Sequence, residues 1–243
     1  MIREIMASSA LTRSRIPVAS YTINPFVGCT VGCKYCFARF IGAFKYTGGL
    51  WGRDVGVKRN IAELLRREVN SLGKVTVFLS STCDPYQHIE EKYGLTREML
   101  VTLISHRIPI FAMSKSTLIR RDVDLFKLAG EEARVLVSIT TDREDVRKLL
   151  EPGSSSFEER LETIDFLRKN GVDAGAFVGP VLPMNAERVS EELARRGATV
   201  HLDALNYISQ VRQLYLKMGW ESWLYREKFE EVKAVFERRL TVE

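Results

Sequence analysis

Three cysteines that lie close together are the most informative residues of this chain for chemistry. Cys29, Cys33 and Cys36 fall within eight residues, in the run Gly-Cys-Thr-Val-Gly-Cys-Lys-Tyr-Cys. Thiolates bind zinc, copper(I) or iron–sulfur clusters in preference to harder cations. A structural zinc site needs four ligands, and the next cysteine, Cys83, comes 47 residues later. Three thiolates fit a four-iron cluster that leaves one iron open, with a zinc loop completed by Cys83 or a redox C-x-x-C pair as the alternatives.

Composition places these cysteines in an ordinary globular chain. Of its 243 residues, 45% are hydrophobic and 28% are charged, which excludes a disordered or fibrous protein. Four cysteines are too few for a disulfide scaffold of this size. The sequence has no apolar run of the roughly 20 residues that a membrane span needs, and it does not begin with the apolar core of a signal peptide. We therefore expect a cytoplasmic protein without a membrane partner, whose thiols are available to bind metal.

Basic residues are concentrated in the first quarter of the chain. Residues 1–60 contain nine basic and two acidic side chains, whereas the whole chain has a net charge of only +5. This asymmetry indicates an anionic partner, with a solvated basic face as the alternative. We expect some of the basic residues that follow the cysteines to border the site: Arg39, Lys45, Arg53, Lys58 and Arg59. Aromatic residues suited to stack nucleic-acid bases lie among them: Phe37, Phe40, Phe44, Tyr46 and Trp51.

Short β-rich runs alternate with amphipathic helical runs along the rest of the sequence. The predicted strands are Ser20–Asn24, Lys74–Leu79, Pro109–Met113, Val135–Thr140, Asp173–Val178 and Thr199–Asp203. The predicted helices are Val57–Leu72, Thr96–His106, Ile119–Ala129, Ser156–Asn170, Ala186–Arg196 and Glu221–Arg239. This alternation predicts an α/β protein with a parallel sheet, either doubly wound or part of a β/α barrel. In both architectures, ligands bind at the carboxyl ends of the strands.

The spacing C-x3-C-x2-C, with Tyr35 just before the last cysteine, resembles the cluster loop of radical S-adenosylmethionine (radical SAM) enzymes. Later segments resemble the spore photoproduct lyase group of that superfamily: Ser81–Gln87, Ser138–Thr141, Glu151–Phe157, Arg160–Leu161 and Ala176–Pro180. The resemblance implies a partial (β/α)6 barrel of the radical SAM type. We expect residues 1–205 to form this barrel with an N-terminal extension, and residues 206–243 to form a C-terminal helical tail packed on it.

This resemblance implies a specific cofactor chemistry. Cys29, Cys33 and Cys36 would hold a [4Fe–4S] cluster, and S-adenosylmethionine would chelate its open iron. One electron, from a donor such as a ferredoxin or flavodoxin, would release a 5′-deoxyadenosyl radical that abstracts hydrogen from a substrate. The family and the basic N-terminal quarter put nucleic acid first among the substrates, and we expect a monomer. The alternatives are a radical enzyme for a peptide or small metabolite, and a non-catalytic, metal-stabilised binding protein.

The resemblance also assigns residues at predicted strand ends to S-adenosylmethionine. Ser80 and Ser81 lie where the superfamily contacts the amino group, and Lys115 resembles a lysine that meets the carboxylate. Ser138 matches a serine that contacts the same cofactor, and Tyr35 would shield the cluster and adenine. Each residue also has an ordinary interpretation, as a turn residue, a solvated charge or a core tyrosine.

Other matched positions concern the return of hydrogen to the product and the loop that precedes the predicted helix Ser156–Asn170. Cys83 lies within about one residue of a lyase cysteine that returns a hydrogen atom to the product, although most free cysteines are small buried hydrophobic residues. Phe37 stands where the lyase has a tyrosine assigned to hydrogen relay, so the resemblance does not carry DNA-damage specificity to this chain. Glu151 and Arg160 match an acid and a base of the family, and we expect an ion pair that fixes the loop, with direct contact to the cofactor as the alternative.

Overall fold

The computed structural model describes residues 1–73 and 75–242. The strands are β1 (Ile2–Ile5), β2 (Leu11–Arg13), β3 (Tyr21–Ile23), β4 (Phe26–Val27), β5 (Val55–Lys58), β6 (Val77–Leu79), β7 (Ile110–Ser114), β8 (Ala133–Ser138), β9 (Asp173–Val178) and β10 (Val200–Leu202). The α-helices are α1 (Ile61–Glu68), α2 (Glu90–Tyr93), α3 (Leu95–Ser105), α4 (Val123–Ala129), α5 (Glu144–Leu150), α6 (Phe157–Lys169), α7 (Ala186–Arg195), α8 (Arg212–Lys217) and α9 (Arg226–Glu237). The predicted α/β class is confirmed.

The main sheet is built from parallel strands that lie in chain order. β3, β6, β7, β8, β9 and β10 follow one another across the sheet, and β2 pairs antiparallel with β3 at its outer edge. A doubly wound sheet reverses its strand order at a switch point, whereas this order runs in one direction. The sheet is therefore a partial β/α barrel, and within the described residues no ladder joins β10 to β2.

The parallel strands are buried on both faces. On their inner face, Phe78, Phe111 and Leu136 form a small apolar cluster. Neighbouring residues in the same strands, such as Leu79 and Ala112, point the other way and join the main core beneath the helices. Successive side chains of a strand alternate between faces, so one set of strands supplies both the core and the inner wall of the barrel.

A second sheet holds the segment around the cysteines. β5 pairs in parallel with β1 and antiparallel with β4, which directly precedes the cysteine loop. The predicted helix Val57–Leu72 is therefore wrong at its start, because Val57 belongs to β5 and α1 begins only at Ile61. Burial alternates along Val55–Lys58, as is typical of a strand. Four residues are too few, however, to stand out in the sequence from the helical periodicity that follows them.

Three further predicted elements differ from the structure. The predicted helix Ile119–Ala129 is α-helical only from Val123, because Thr117–Asp122 forms a 3-10 helix. The predicted helix Glu221–Arg239 is broken, because a 3-10 turn over Glu221–Leu224 buries Leu224 and Tyr225 is extended before α9 begins. The predicted strand Lys74–Leu79 is observed as β6, and Lys74 lies outside the described residues.

Local signals at the remaining helices were more reliable. The predicted capping box is confirmed at α6. The Ser156 hydroxyl accepts a hydrogen bond from the Glu159 backbone N–H, and the Glu159 carboxylate accepts one from the Ser156 backbone N–H. The helices α8 and α9 contribute Tyr215 and Phe236 to the main core. In the described part of the chain, no helix is long and apolar enough to cross a membrane.

Candidate active site

A cavity of about 580 Å³ lies between the cysteine loop and the carboxyl ends of the parallel strands. Its wall contains every residue that the sequence assigned to the cluster, to S-adenosylmethionine or to hydrogen return: Cys29, Cys33, Tyr35, Cys36, Ser80, Ser81, Cys83, Lys115 and Ser138. These residues come from four separate segments of the chain. The fold therefore gathers them around one space large enough for a small-molecule ligand.

The cysteine loop is held from the side of β6 by a buried glutamine. The Thr30 backbone N–H donates to Gln87 Oε1 at 2.7 Å, and Gln87 Nε2 donates to the Gly28 carbonyl at 3.3 Å. Gly28 has a φ of +95°, and a Cβ there would lie 2.5 Å from the Asp54 carbonyl oxygen. Glycine is therefore required where the chain turns from β4 into the loop.

The segment between α5 and α6 holds the loop from the other side. The Lys34 N–H donates to the Leu150 carbonyl at 2.9 Å, and the Gly153 N–H donates to the Val31 carbonyl at 3.0 Å. A Cβ on Gly153 would lie 2.3 Å from the Thr30 carbonyl oxygen, so only glycine permits this approach. The three cysteines thus sit on a loop whose backbone is fixed on two sides.

The three thiols are free, with Cys29 and Cys33 buried and Cys36 half-buried. Burial raises the pKa of all three, and the nearby Glu151 carboxylate raises the pKa of Cys33 further. Thiols in this environment stay protonated until a metal cation displaces the protons. The donor set and its burial fit a metal centre that is assembled together with proton release.

The arrangement of ligands differs from that of a single-ion site. Within residues 1–73 and 75–242, no three His, Cys, Asp or Glu side chains converge on one metal-ion position. An iron–sulfur cluster binds each thiolate at a different iron, so its ligands stand further apart than those of a tetrahedral zinc ion. A multinuclear cluster therefore does not require its three ligands to converge on one point.

A buried carboxylate organises the wall next to the cysteines. Glu151 accepts a hydrogen bond from the Tyr35 hydroxyl, and its oxygens lie 3.1 Å from Arg160 Nη2 and 3.8 Å from Lys115 Nζ. Arg160 also donates to the Ser138 carbonyl at 2.8 Å. Burial alone would raise the pKa of Glu151, but Lys115 and Arg160 outweigh it and hold the pKa below its usual value. The expected Glu151–Arg160 ion pair is thus present, and it reaches two predicted cofactor residues.

The two serines that follow β6 differ in their hydrogen bonding. Asn24 Oδ1 accepts from the backbone N–H groups of Ser81 at 3.0 Å and Thr82 at 2.7 Å. The Ser81 hydroxyl pairs with Thr22 at 3.2 Å. The Ser80 hydroxyl is buried without a well-formed hydrogen bond among the described residues. Ser80 is therefore the serine whose hydroxyl is more available to a ligand.

The segment after these serines is tied to the end of β7 by Asp84. Its carboxylate accepts from the Ser114 hydroxyl at 2.7 Å and from the Lys115 N–H at 2.8 Å, while its own N–H donates to Cys29 Sγ at 3.3 Å. Burial raises the pKa of the neighbouring Cys83 to about 12, so this thiol carries its hydrogen at neutral pH. Asp84 thus links the cysteine loop to the position of Lys115.

The sequence did not reveal the structural role of several site residues. Asp84 and Gln87 lie in the polar run that follows a predicted buried strand. Their position at a strand end was the one feature of the sequence that could have marked them as site residues. Trp51, whose indole N–H donates to the Cys33 carbonyl at 3.0 Å, had no such signal. Five basic residues were expected near the site, and none of their side chains lines the cavity: Arg39, Lys45, Arg53, Lys58 and Arg59. Lys58 is nevertheless close enough to Cys83, and Arg39 to Cys36, to act on the pKa of each thiol and lower it.

Aromatic rings from both ends of the barrel meet at the cavity. Tyr207, which follows β10, lies 6.0 Å from the ring centre of Phe37 and 5.2 Å from that of Phe40. Tyr207 and Phe37 both line the cavity. These contacts bridge the side of the barrel that the strand ladders leave open.

Comparisons with known proteins agree with this geometry. The family model of the Radical SAM superfamily matches residues 23–195. An uncharacterized protein of Methanocaldococcus jannaschii is 36% identical over 182 residues, which cover 75% of this chain and 68% of that protein. An uncharacterized protein of Mycobacterium tuberculosis is 32% identical over 215 residues, which cover 81% of this chain and only 62% of that protein.

A solved structure of spore photoproduct lyase, complexed with dinucleoside spore photoproduct, has a similar fold. Its TM-score against this chain is 0.73 at 15% sequence identity, and the match covers 98% of this chain and 78% of the lyase chain. At this level of identity the likeness shows a shared fold.

The buried contacts of Glu151 predict a large loss of protein stability when the negative charge of this side chain is removed. Glu151→Gln leaves the buried Arg160 without its closest counterion, and breaking a buried pair costs about 3–5 kcal/mol. The free energy of unfolding of the cofactor-free protein, measured in urea, should fall by that amount. Glu63→Gln, which breaks a solvent-exposed pair with Arg67 on α1, is the matched control and should cost at most about 1 kcal/mol.

The double variant Glu151→Gln/Arg160→Met separates charge from packing. It removes the unpaired buried cation, so it should be more stable than Glu151→Gln alone. A Glu151→Gln protein as stable as the Glu63→Gln control would show that the ion pair between Glu151 and Arg160 does not hold the loop.

Proposed function

The chain belongs to the radical SAM superfamily, and from this premise we propose that Cys29, Cys33 and Cys36 hold a [4Fe–4S] cluster at the cavity wall. The superfamily binds such a cluster together with S-adenosylmethionine. When bound, these groups supply a 5′-deoxyadenosyl radical that abstracts a hydrogen atom from the substrate. The observation that supports the proposal most is that the three free thiols share one cavity with all the other predicted cofactor residues.

Lys115 and Ser80 orient S-adenosylmethionine in this proposal. Lys115 presents an ammonium group to the carboxylate of the cofactor, and a charge-assisted hydrogen bond of this kind fixes its direction. Ser80 has a buried hydroxyl that can pair with the amino group. Ser81 and Ser138 are further contacts of the cofactor in this proposal. Arg160 fixes the position of Ser138 by donating a hydrogen bond to the Ser138 backbone carbonyl.

The remaining wall excludes water from the reaction. Phe78, Phe111 and Phe177 line the cavity from β6, β7 and β9, and Tyr35 lines it on the side of the cysteines. The Tyr35 hydroxyl donates to Glu151 and also lies close to the Cys33 thiol. Apolar walls limit side reactions with O–H and N–H groups during hydrogen abstraction.

Cys83 returns a hydrogen atom to the product in this proposal. Its thiol lines the same cavity. In this step the S–H bond breaks, a C–H bond forms on the substrate, and a thiyl radical remains on Cys83. Phe37 has no O–H group, so it cannot relay this hydrogen.

Nucleic acid is the proposed substrate class. The lyase of similar fold is complexed with a dinucleoside, which supports a nucleic-acid fragment as the ligand of this architecture. Ile16 and Val18 line the cavity and are partly exposed, and Arg13 and Arg15 stand next to them in the chain. These two arginines are therefore suited to bind phosphates while a base enters the cavity.

The cysteine assignment predicts the iron content of single variants. Cys29→Ala, Cys33→Ala and Cys36→Ala should each lose the cluster after anaerobic reconstitution, because three ligands leave no spare thiolate. Cys83→Ala is the matched control and should keep a full complement of iron and sulfide. A Cys33→Ala protein with full iron would contradict the assignment, and loss of iron in Cys83→Ala would indicate a four-cysteine site.

The role of Lys115 predicts a loss of affinity without loss of the cluster. Lys115→Ala should weaken binding of S-adenosylmethionine to the reconstituted protein by about 10- to 100-fold, since a hydrogen bond to a charged group contributes about 1.5–3 kcal/mol. Equilibrium dialysis measures the affinity, and Lys127→Ala on α4 is the control. Unchanged affinity with intact iron would remove Lys115 from the binding site.

The substrate proposal predicts salt-dependent binding of duplex DNA. The log–log slope of affinity against salt should become less steep by about 0.9 for each phosphate that the protein no longer neutralises, so Arg13→Ala/Arg15→Ala should flatten it by about 2. Fluorescence anisotropy with a labelled duplex measures this, with Lys127→Ala/Lys169→Ala as the control. No binding at low salt would reject nucleic acid as the substrate and leave the radical chemistry untouched.

A further inference from the structure

The cavity wall carries a second group of polar side chains, to which the proposed function gives no role. They lie in or just after β10, the last strand of the main sheet: His201, Asp203 and Asn206. The serines and the lysine proposed for S-adenosylmethionine lie instead at the ends of β6, β7 and β8. Phe177 of β9 separates the two groups, because it pairs with Ser138 on one side and with His201 on the other. The cavity therefore has a β10 end with polar groups of its own.

The backbone of Asp203 is fixed next to the end of β9. Its N–H donates to the Val178 carbonyl at 3.1 Å, and its carbonyl accepts from the Val181 N–H at 3.0 Å. The Asp203 side chain lines the cavity and is exposed. A carboxyl group on a fixed backbone is thus presented to whatever occupies the β10 end.

The Asp203 carboxylate has acceptor sites that the protein does not fill. The Ala204 N–H and the Asn206 side chain lie close enough to favour its charged form, and no cation in residues 1–73 and 75–242 lies within ion-pair distance of it. A carboxylate offers about four acceptor sites, so these two neighbours leave about two. Partial burial outweighs both neighbours and raises the pKa of Asp203 above its usual value. A ligand with N–H donors would supply the missing stabilisation.

Aromatic rings lie on either side of Asp203 in the cavity wall. Phe177 lines the cavity from β9, and Tyr207 lines it from the segment after Asn206. Tyr207 has a φ of +55°, a conformation that residues other than glycine rarely adopt, and its ring contacts Phe37 and Phe40. Backbone outliers of this kind are concentrated at ligand-binding sites. A flat apolar surface beside a hydrogen-bonding edge suits a nucleobase.

We infer that Asp203 recognises a guanine base of the nucleic-acid substrate through the two adjacent N–H donors of its Watson–Crick edge. This inference rests on the proposed function, because it places the base in the cavity that holds the cysteines. Guanine N1–H and N2–H stand side by side, so each can donate to one carboxylate oxygen. Thymine and uracil present one N–H between two carbonyl oxygens, which would repel the carboxylate. Adenine and cytosine each offer a single amino group there.

The strand order favours a substrate base over S-adenosylmethionine at Asp203. In the proposed function, Lys115 and Ser80 bind the amino-acid part of the cofactor, and they follow β7 and β6, which lie three and four strands from β10. At a strand spacing of about 4.8 Å, β7 and β10 are about 14 Å apart along the sheet. The adenine of the cofactor also has only one amino group, so it would leave an acceptor site of Asp203 unfilled.

The inference is tested first by base preference, with the reconstituted enzyme and labelled oligothymidine heptamers that differ only in the central base. Wild type should bind central guanine about tenfold or more tightly than central hypoxanthine, which keeps N1–H but lacks the N2 amino group, because a bidentate contact to a base gives discrimination of this order. Adenine, cytosine and thymine should also bind more weakly than guanine. Fluorescence anisotropy measures these affinities.

The second test removes one acceptor oxygen while the size of the side chain is kept. Asp203→Asn should lose the preference for guanine over hypoxanthine, whereas its iron content and its affinity for S-adenosylmethionine should equal those of wild type. Asp173→Asn at the start of β9 is the matched control, with the same change in charge, and should keep the preference.

The possible results separate this inference from the proposed function. Equal wild-type affinities for guanine and hypoxanthine, or a preference retained in Asp203→Asn, would overturn guanine recognition. A loss of S-adenosylmethionine affinity in Asp203→Asn with the guanine preference retained would assign Asp203 to the cofactor instead. Absence of heptamer binding at low salt would reject both guanine recognition and nucleic acid as the substrate. A guanine preference in a protein that releases no 5′-deoxyadenosine after reduction would uphold base recognition and reject the radical chemistry.

Discussion

The buried carboxylate of Glu151 is the interaction on which the candidate site depends most. It meets Tyr35 from the cysteine loop, Lys115 from the end of β7 and Arg160 from α6. Because both members of its closest ion pair are almost fully buried, the pair is stable only while the surrounding chain segments keep their positions. The carboxylate therefore fixes the geometry of the cysteine loop relative to the strand ends, before any cofactor is bound.

The parallel strands form the main wall of the cavity next to the Glu151 contacts. Their alternating side chains build the main core on one face and an aromatic wall on the other, so the same residues that stabilise the fold also line the site. Among residues 1–73 and 75–242, no ladder joins the first and last strands of the sheet, and Tyr207 after β10 contacts Phe37 and Phe40 after the cysteine loop. Ser80, Lys115 and Ser138 line the cavity at the strand ends together with the cysteines, and Asp84, Asp203 and Asn206 add further polar groups to its wall.

The sequence was sufficient for features that are local in the chain. The cysteine spacing, the parallel strands and the capping box at Ser156 depend on residues a few positions apart, and each was recognisable from residue type and periodicity. Contacts such as Tyr35 with Glu151, which are 116 residues apart, depend on the tertiary fold. For the same reason the support from Asn24 and Gln87 was not identified. β5 was hidden because its four residues also fit the helical period of α1, and only pairing with β1 makes it a strand.

The central claim is that the cavity carries radical chemistry on S-adenosylmethionine. The most direct measurement is anaerobic reconstitution of the wild-type protein with iron and sulfide, reduction with dithionite, and quantification of 5′-deoxyadenosine and methionine after addition of S-adenosylmethionine. The account predicts about four iron and four sulfide per chain and formation of both products in equal amounts. A protein that binds zinc, takes up neither iron nor sulfide and releases no 5′-deoxyadenosine would contradict it.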